Sequence, residues 1–193
     1  TGLQTRPHGV DPHVTGPGRA RVQVPDLHPR SHLGWHRALV FVELGRVGGF
    51  GAGGRRLIYR VLGLEALSRG AAFVAFIDAD TDAVISIRDN LEQLNAEVPR
   101  SAWRVVQMEI ESGIRHLANA EPPFDVALLD PPYRTEEGKK ALNTVVECAM
   151  LAPAGIVALE HDQRTVLPSV IGPLQQHTRH RYGDTVLSLY ELA

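Results

Sequence analysis

The chain has 193 residues, 44% hydrophobic and 22% charged, with a formal net charge of −2. That is enough for one domain with a sizeable core, and it excludes a uniformly basic nucleic-acid binder. No apolar run reaches the roughly 18 residues of a membrane-spanning helix, no basic-then-apolar leader is visible, and Cys148 as the sole cysteine excludes an internal disulfide and fits a reducing cytoplasm.

The charge is unevenly spread. Residues 1–60 carry nine Arg and three acids, whereas residues 61–193 carry eleven Lys and Arg against nineteen acids. A basic arm on an acidic body is one reading, and a solvated tail is the other.

Residues 1–56 are rich in Gly, Pro, His and Arg, and only "RALVFVEL" (37–44) has the look of an element. Five of the nine histidines fall here (His8, His13, His28, His32, His36) at spacings that match no usual zinc pattern, so no metal site is expected. From residue 57 the patterning sharpens. "LIYRVL" (57–62) reads as a possible strand, and "GLEALSRG" (63–70) as a short helix stopped by Gly70. "FVAFID" (73–78) is an apolar run of strand length. The helix after it places Ala83, Val84, Ile87, Leu91 and Leu94 at helical spacing behind Asp80 and Asp82.

"WRVVQM" (103–108) predicts a third strand and "ESGIRHLANA" a short helix. "FDVALLD" (124–130) predicts a fourth strand and "EEGKKALNTVVECAM" (136–150) a helix with its acids first. "GIVALE" (155–160) predicts a fifth strand and "TVLPSVIGPL" a weak, proline-broken helix. "TRHRYGDTVLSLYEL" predicts two strands joined at Gly183-Asp184. Continuously apolar strands alternating with helices imply an α/β fold with a buried parallel sheet, in which ligands bind beyond the carboxyl ends of the strands. The expected organisation is a basic, poorly patterned segment over 1–56 and a folded domain over 57–193.

Three acids end or follow strands: Asp78, Glu109 and Asp130. Asp78 is placed to accept hydrogen bonds from ribose hydroxyls, or else to cap a helix. Glu109 could accept from an adenine amino group, or else be a solvated loop acid. Together they suggest a bound adenosine. Asp130 is followed by Pro131, Pro132 and Tyr133. The prolines fix their own φ, donate no backbone hydrogen bond and hold the preceding residues extended. The chain therefore leaves the sheet as a spur that presents two acceptors, the Asp130 carboxylate and the Pro131 carbonyl. Tyr133 adds a flat face. Two acceptors and a stacking surface suit the two hydrogens of an exocyclic amine on a base.

Here the residues match a family. "DPPY" (130–133) resembles the amino-methylation motif of S-adenosylmethionine-dependent N-methyltransferases. With "GLEALSRGA" (63–71), "FDVALLDPPY" (124–133) and "RYGDTVLSLY" (181–190), residues 61–193 resemble the bacterial 16S ribosomal RNA (guanine-N2)-methyltransferases of the RsmD type. The resemblance implies a Rossmann-like class I methyltransferase, with a mostly parallel seven-stranded sheet and helices on both faces. It implies S-adenosylmethionine as cofactor, contacted by Asp78, Glu109, Gly63 and Asp130. It implies Asp130, Pro131, Pro132 and Tyr133 as the catalytic set. The implied partner is 16S ribosomal RNA or a small-subunit assembly intermediate, met by a cytoplasmic monomer with no membrane association and no metal.

The sequence departs from the family at its glycine-rich cofactor loop. In ungapped register the two loop glycines fall at Ile58 and Arg60, whereas "GRVGGFGAGG" (45–54), after "RALVFVE" (37–43), supplies such a loop only in a shifted register. The abrupt change near Gly63 fits either strong divergence of residues 1–62 or a shifted reading frame. The alternatives to the ribosomal RNA enzyme are a catalytically inactive methyltransferase-fold protein that binds RNA or protein, and an N-methyltransferase acting on DNA adenine.

Overall fold

The apolar runs of the sequence become neighbouring strands of one sheet. The computed structural model describes residues 37–42 (backbone only), 63–64, 66–67, 70–94, 98–131 and 136–193. In chain order the elements are β1 (Arg37–Val42), β2 (Phe73–Asp78), α1 (Thr81–Gln93), β3 (Trp103–Gln107), α2 (Ile110–Ala118), β4 (Phe124–Asp130) and α3 (Glu137–Glu147). They continue with β5 (Leu151–Asp162), β6 (Val170–Ile171), β7 (Leu174–Tyr182) and β8 (Thr185–Leu192). The strand order is β3-β2-β1-β4-β5-β8-β7-β6. The five strands from β3 to β5 are parallel, and the three beyond β5 are antiparallel.

The fold is the α/β, Rossmann-like arrangement expected, with two corrections to the sheet. It is mixed rather than mostly parallel, and it has eight strands rather than seven among the described residues. The eighth comes from "TVLPSVIGPL", whose pattern suggests a weak helix. Pro168 and Pro173 flank Val170 and Ile171 there, so a helix would lose its backbone donors, and the β-branched pair forms an edge ladder with β7 instead.

The centre of the sheet is also informative. β1 pairs with β2 on one side and β4 on the other. It lies within the segment 1–56 that sequence patterning sets apart, yet it is paired along both edges. The possible strand 57–62, and with it Ile58 and Arg60, lies outside the described residues.

Helices cover both faces. On one, Ile87 and Leu91 of α1 join Ala66 and Leu67 over Val74, Phe76, Val126, Leu128 and Ala158. On the other, Ile114 and Leu117 of α2 join Leu142 and Val145 of α3 over Ala75, Ile77, Ala127, Leu129 and Leu159. Most of these side chains are fully buried, and each Val, Leu, Ile or Phe among them contributes about 1.5–3 kcal/mol relative to exposure. Gly70, with φ +92°, ends the helical turn that contains Ala66 and Leu67, as the sequence implies.

Candidate active site at the carboxyl edge of the parallel strands

Register brings the strand-ending acids to one edge. Val42 is level with Asp130 across the β1–β4 ladder, and Asp78 is level with Gln107 across the β2–β3 ladder. Phe41 pairs with both Ile77 and Leu129, so Asp78 and Asp130 stand at the same height, two strand spacings or roughly 10 Å apart. Side chains alternate along a strand, so Asp78 shares the face of Val74 and Phe76, and Asp130 that of Val126 and Leu128. Both acids therefore lie on the α1 face of this edge.

Each acid is held by the turn that follows it. Asp78 is 2% exposed, and its Oδ1 accepts from the Asp80 amide at 2.8 Å. Asp80 in turn caps α1 by accepting from the Ala83 amide at 2.8 Å. The candidate ribose acceptor thus also orders the entry to a helix. The Asp78 carbonyl accepts from the Met108 amide at 3.1 Å, which ties the end of β2 to the loop carrying Glu109. Glu109 is exposed and precedes the first turn of α2, its carbonyl accepting from the Gly113 amide at 2.8 Å. Asp130 is half-buried and Pro131 buried. Pro132 and Tyr133 lie outside the described residues. The amino ends of α1, α2 and α3 all open on this edge. Their partial positive charge favours the carboxylates gathered there.

Gly63 is not in this row. It is buried beneath the sheet, where an added Cβ would overlap the ring of fully buried Phe76. Its lack of a side chain answers a packing need, whatever role the neighbouring loop has. Gly138, which sequence reasoning misses, has a comparable need nearer the site. A Cβ there would stand 3.1 Å from Pro131 Cγ and 3.3 Å from Leu159 Cδ1, so the first turn of α3 seats directly on Pro131. Met108 is missed as well. It is 38% exposed beside Glu109, an apolar side chain left in the open where a planar base could rest. The signal available is its place, immediately after a strand and before an acid. Gln107, which donates to Thr81 Oγ1 at 2.8 Å, and Glu160 of β5, which follows Leu159 at the height of Asp130, complete the rim.

A buried polar chain runs through the antiparallel half. His161 Nδ1 lies 2.9 Å from the Asp162 carbonyl and Nε2 2.8 Å from Ser188 Oγ. The Ser188 hydroxyl also accepts from Gln176 Nε2 at 3.1 Å, and Tyr190 donates to the Pro168 carbonyl at 2.9 Å. Burial pushes the His161 imidazole below its usual range and the Tyr190 phenol above its own. The ring accounts for both nitrogens if Nδ1 donates to the carbonyl and Nε2 accepts the serine proton.

The donor set at the carboxyl edge fits an adenosine-bearing cofactor: one buried and one exposed carboxylate on adjacent strands, an apolar side chain between them, and helix amino ends around them. The described residues hold no group of His, Cys, Asp and Glu placed to bind a metal ion.

Residues 60–191 match the family described as Conserved hypothetical protein 95. "Putative rRNA methyltransferase YlbH" of Bacillus subtilis is 34% identical over 130 residues, which cover 67% of this chain and 69% of that protein. "Ribosomal RNA small subunit methyltransferase D" of Escherichia coli K12 is 28% identical over 130 residues, 67% of this chain and 62% of that protein. The matched part thus spans about two thirds of each relative's length. Among solved structures, "Putative methyltransferase yhhF" from Escherichia coli superposes with a TM-score of 0.61 at 26% identity, covering 81% of this chain and 75% of that one.

Proposed function

The chain belongs to the Conserved hypothetical protein 95 family, the RsmD type, and we propose that it is an S-adenosylmethionine-dependent methyltransferase acting on the N2 amine of a guanine in 16S ribosomal RNA. Ribosomal RNA methylation follows the names of its relatives, and S-adenosylmethionine serves other enzymes of this fold. The observation that carries the reading is the common height of Asp78 and Asp130 on one edge, with Glu109 beside the first and Pro131 fixed after the second.

In this reading Asp78 holds the ribose and Glu109 the adenine amine. The bound cofactor supplies an electrophilic methyl group whose departure leaves a neutral thioether. The Asp130 carboxylate and the Pro131 carbonyl each accept one hydrogen of the target amine. That directs the nitrogen lone pair along the line of transfer and stabilises the positive charge that grows on the nitrogen. One nitrogen–carbon bond forms, one sulfur–carbon bond breaks with its electron pair kept on sulfur, and the nitrogen then sheds one proton. Pro132 stiffens the spur and Tyr133 offers a stacking face to a base drawn out of its helix.

Calorimetric titration with S-adenosylmethionine is the first test. Asp78→Asn keeps the acceptor for the Asp80 amide but removes the charge, and it is expected to weaken cofactor binding by about tenfold or more. Asp130→Ala is expected to lower methyl transfer to 16S ribosomal RNA by about 10²–10³ at saturating S-adenosylmethionine, a loss that weaker cofactor binding alone does not produce. Mapping the product decides the target atom: a methyl group on any position other than guanine N2 would overturn the assignment. A folded chain that binds no cofactor would be an inactive relative.

A further inference from the structure

The antiparallel half of the sheet carries a second feature at the same edge. β7 alternates in exposure, with Arg179 and Arg181 exposed on one face and Thr178, His180 and Tyr182 half-buried on the other. The two arginines, Gln163 and Val186 line an open cavity of about 290 Å³. Being two residues apart on one strand, the guanidinium stems stand about 7 Å from each other.

Their charges are not spent internally. Neither arginine makes an ion pair among the described residues, where Arg104–Glu121 and Arg115–Glu147 do. Arg181 Nε donates to the Gly183 carbonyl at 3.0 Å, which anchors the guanidinium while its terminal nitrogens make no hydrogen bond within the described residues. The nearby acid, Asp184, is engaged. Its carboxylate accepts from Gln163 Nε2 and its carbonyl from the Gln163 amide, both at 2.9 Å. Gln163 and the 183–184 turn thus form a fixed wall beside two cations. Arg164, exposed on the adjoining turn, adds a third. Residues 61–193 have nineteen acids against eleven Lys and Arg, so this cluster runs against its surroundings.

Register fixes its place relative to Asp130. Arg179 pairs with Ser188, Ser188 with Leu159, and Leu159 with Leu129; Arg181 pairs with Val186, and Val186 with His161. The arginine pair therefore brackets the height of Asp130 three strands away, roughly 14 Å along the sheet, but on the α3 face, whereas Asp130 is on the α1 face, so a strand that serves both must cross the carboxyl edge of the sheet. We infer that Arg179 and Arg181, with Gln163 as the wall between β5 and β8, form a backbone-binding site for successive phosphates of the RNA strand that delivers its base to Asp130. An extruded nucleotide leaves its flanking phosphates on the surface, and a strand of regular negative charge needs paired cations at about that reach. This inference rests on the reading of the chain as an RNA methyltransferase, and it adds a surface that the methyl-transfer chemistry does not itself require.

The test compares the full chain with an Arg179→Gln/Arg181→Gln double variant. Binding to a 16S ribosomal RNA fragment is followed by fluorescence anisotropy between about 50 and 200 mM salt. Both side chains are exposed, so the variant should melt as the parent does and bind S-adenosylmethionine equally well. The expected result is an affinity about tenfold weaker at the low-salt end, with the slope of log affinity against log salt reduced by about 1–2. Unchanged affinity and slope would overturn the site and leave the methyltransferase reading standing. Loss of binding in the variant by a chain that methylates no RNA would do the reverse. A parent that binds no RNA overturns the site outright, as does unchanged RNA binding alongside variant-sensitive binding of polyglutamate, which would mark the cavity as a seat for an acidic protein.

Discussion

At His161, desolvation outweighs hydrogen bonding in setting the charge. The ring is 5% exposed in β5, and burial is the main cause of its lowered pKa; Arg179 pushes the same way, while the Asp162 carbonyl opposes it. The unfolded chain binds a proton as pH falls through 6.5, the ordinary imidazole value, while the folded ring stays neutral until a lower pH. Over that window the unfolded state holds more protons, so stability rises with pH and is lost on acidification. Thermal melts from about pH 7.5 down to pH 5 should fall more steeply for the parent than for His161→Gln, whose amide can still meet Ser188 but cannot titrate. Parallel pH dependences would show that the ring binds its proton equally in the folded and unfolded states, against the lowering by burial. None of this chain was legible in the sequence, where "EHD" sits at a strand end and looks like solvated polar residues. Only the β5–β8 pairing, which sets His161 beside Ser188, makes it a buried contact.

The end of α3 shows how an element closes without the residue it would prefer. The Ala149 amide donates to the Val146 carbonyl and the Met150 amide to the Val145 carbonyl, both at 3.0 Å, while Val145 and Met150 are buried together. That is a Schellman closure, and its left-handed position falls on Ala149 with φ +48°. An alanine there is strained by about 1–2 kcal/mol, whereas glycine loses about 0.5–1 kcal/mol more chain entropy. Strain outweighs entropy at this position, so Ala149→Gly should stabilise the protein by about 0.5–1 kcal/mol in denaturant titration. A destabilised variant would mean that the turn relaxes elsewhere.

The strands show what sequence patterning can and cannot give. β2 and β4 fall on the runs read for them, because a strand buried on both faces is written as an uninterrupted apolar stretch bounded by an acid. β5 begins four residues earlier than its apolar run, at Leu151, because its first residues include Pro153 and Ala154 at φ +59° and pair with β4 across a register shift. A bulge of that kind has no periodicity to read. Asp78, Glu109 and Asp130 were legible as residues of the carboxyl edge because strand ends are. Met108 and Gly138 were not, since exposure and close approach exist only once the strands are laid side by side.

For the molecule as a whole, the decisive strand is the one that its sequence advertises least. Two stretches compete for the central place, "RALVFV" at 37–42 and "LIYRVL" at 57–62. The backbone gives it to the first, between β2 and β4. β1 ends at Val42, level with Asp130, and the glycine-rich run 45–54 follows it in the chain. A strand paired on both sides sends every amide to one neighbour or the other, so a proline within it must leave a carbonyl of β2 or β4 without its donor. A buried carbonyl so orphaned costs about 1–3 kcal/mol before any ring clash is counted. Val40→Pro should accordingly lower the melting temperature sharply or abolish cooperative unfolding, and Ile58→Pro should be the milder of the two. The reverse order would move the central strand to residues 57–62 and put Ile58 and Arg60 at the mouth of the cofactor site, where their side chains would obstruct it.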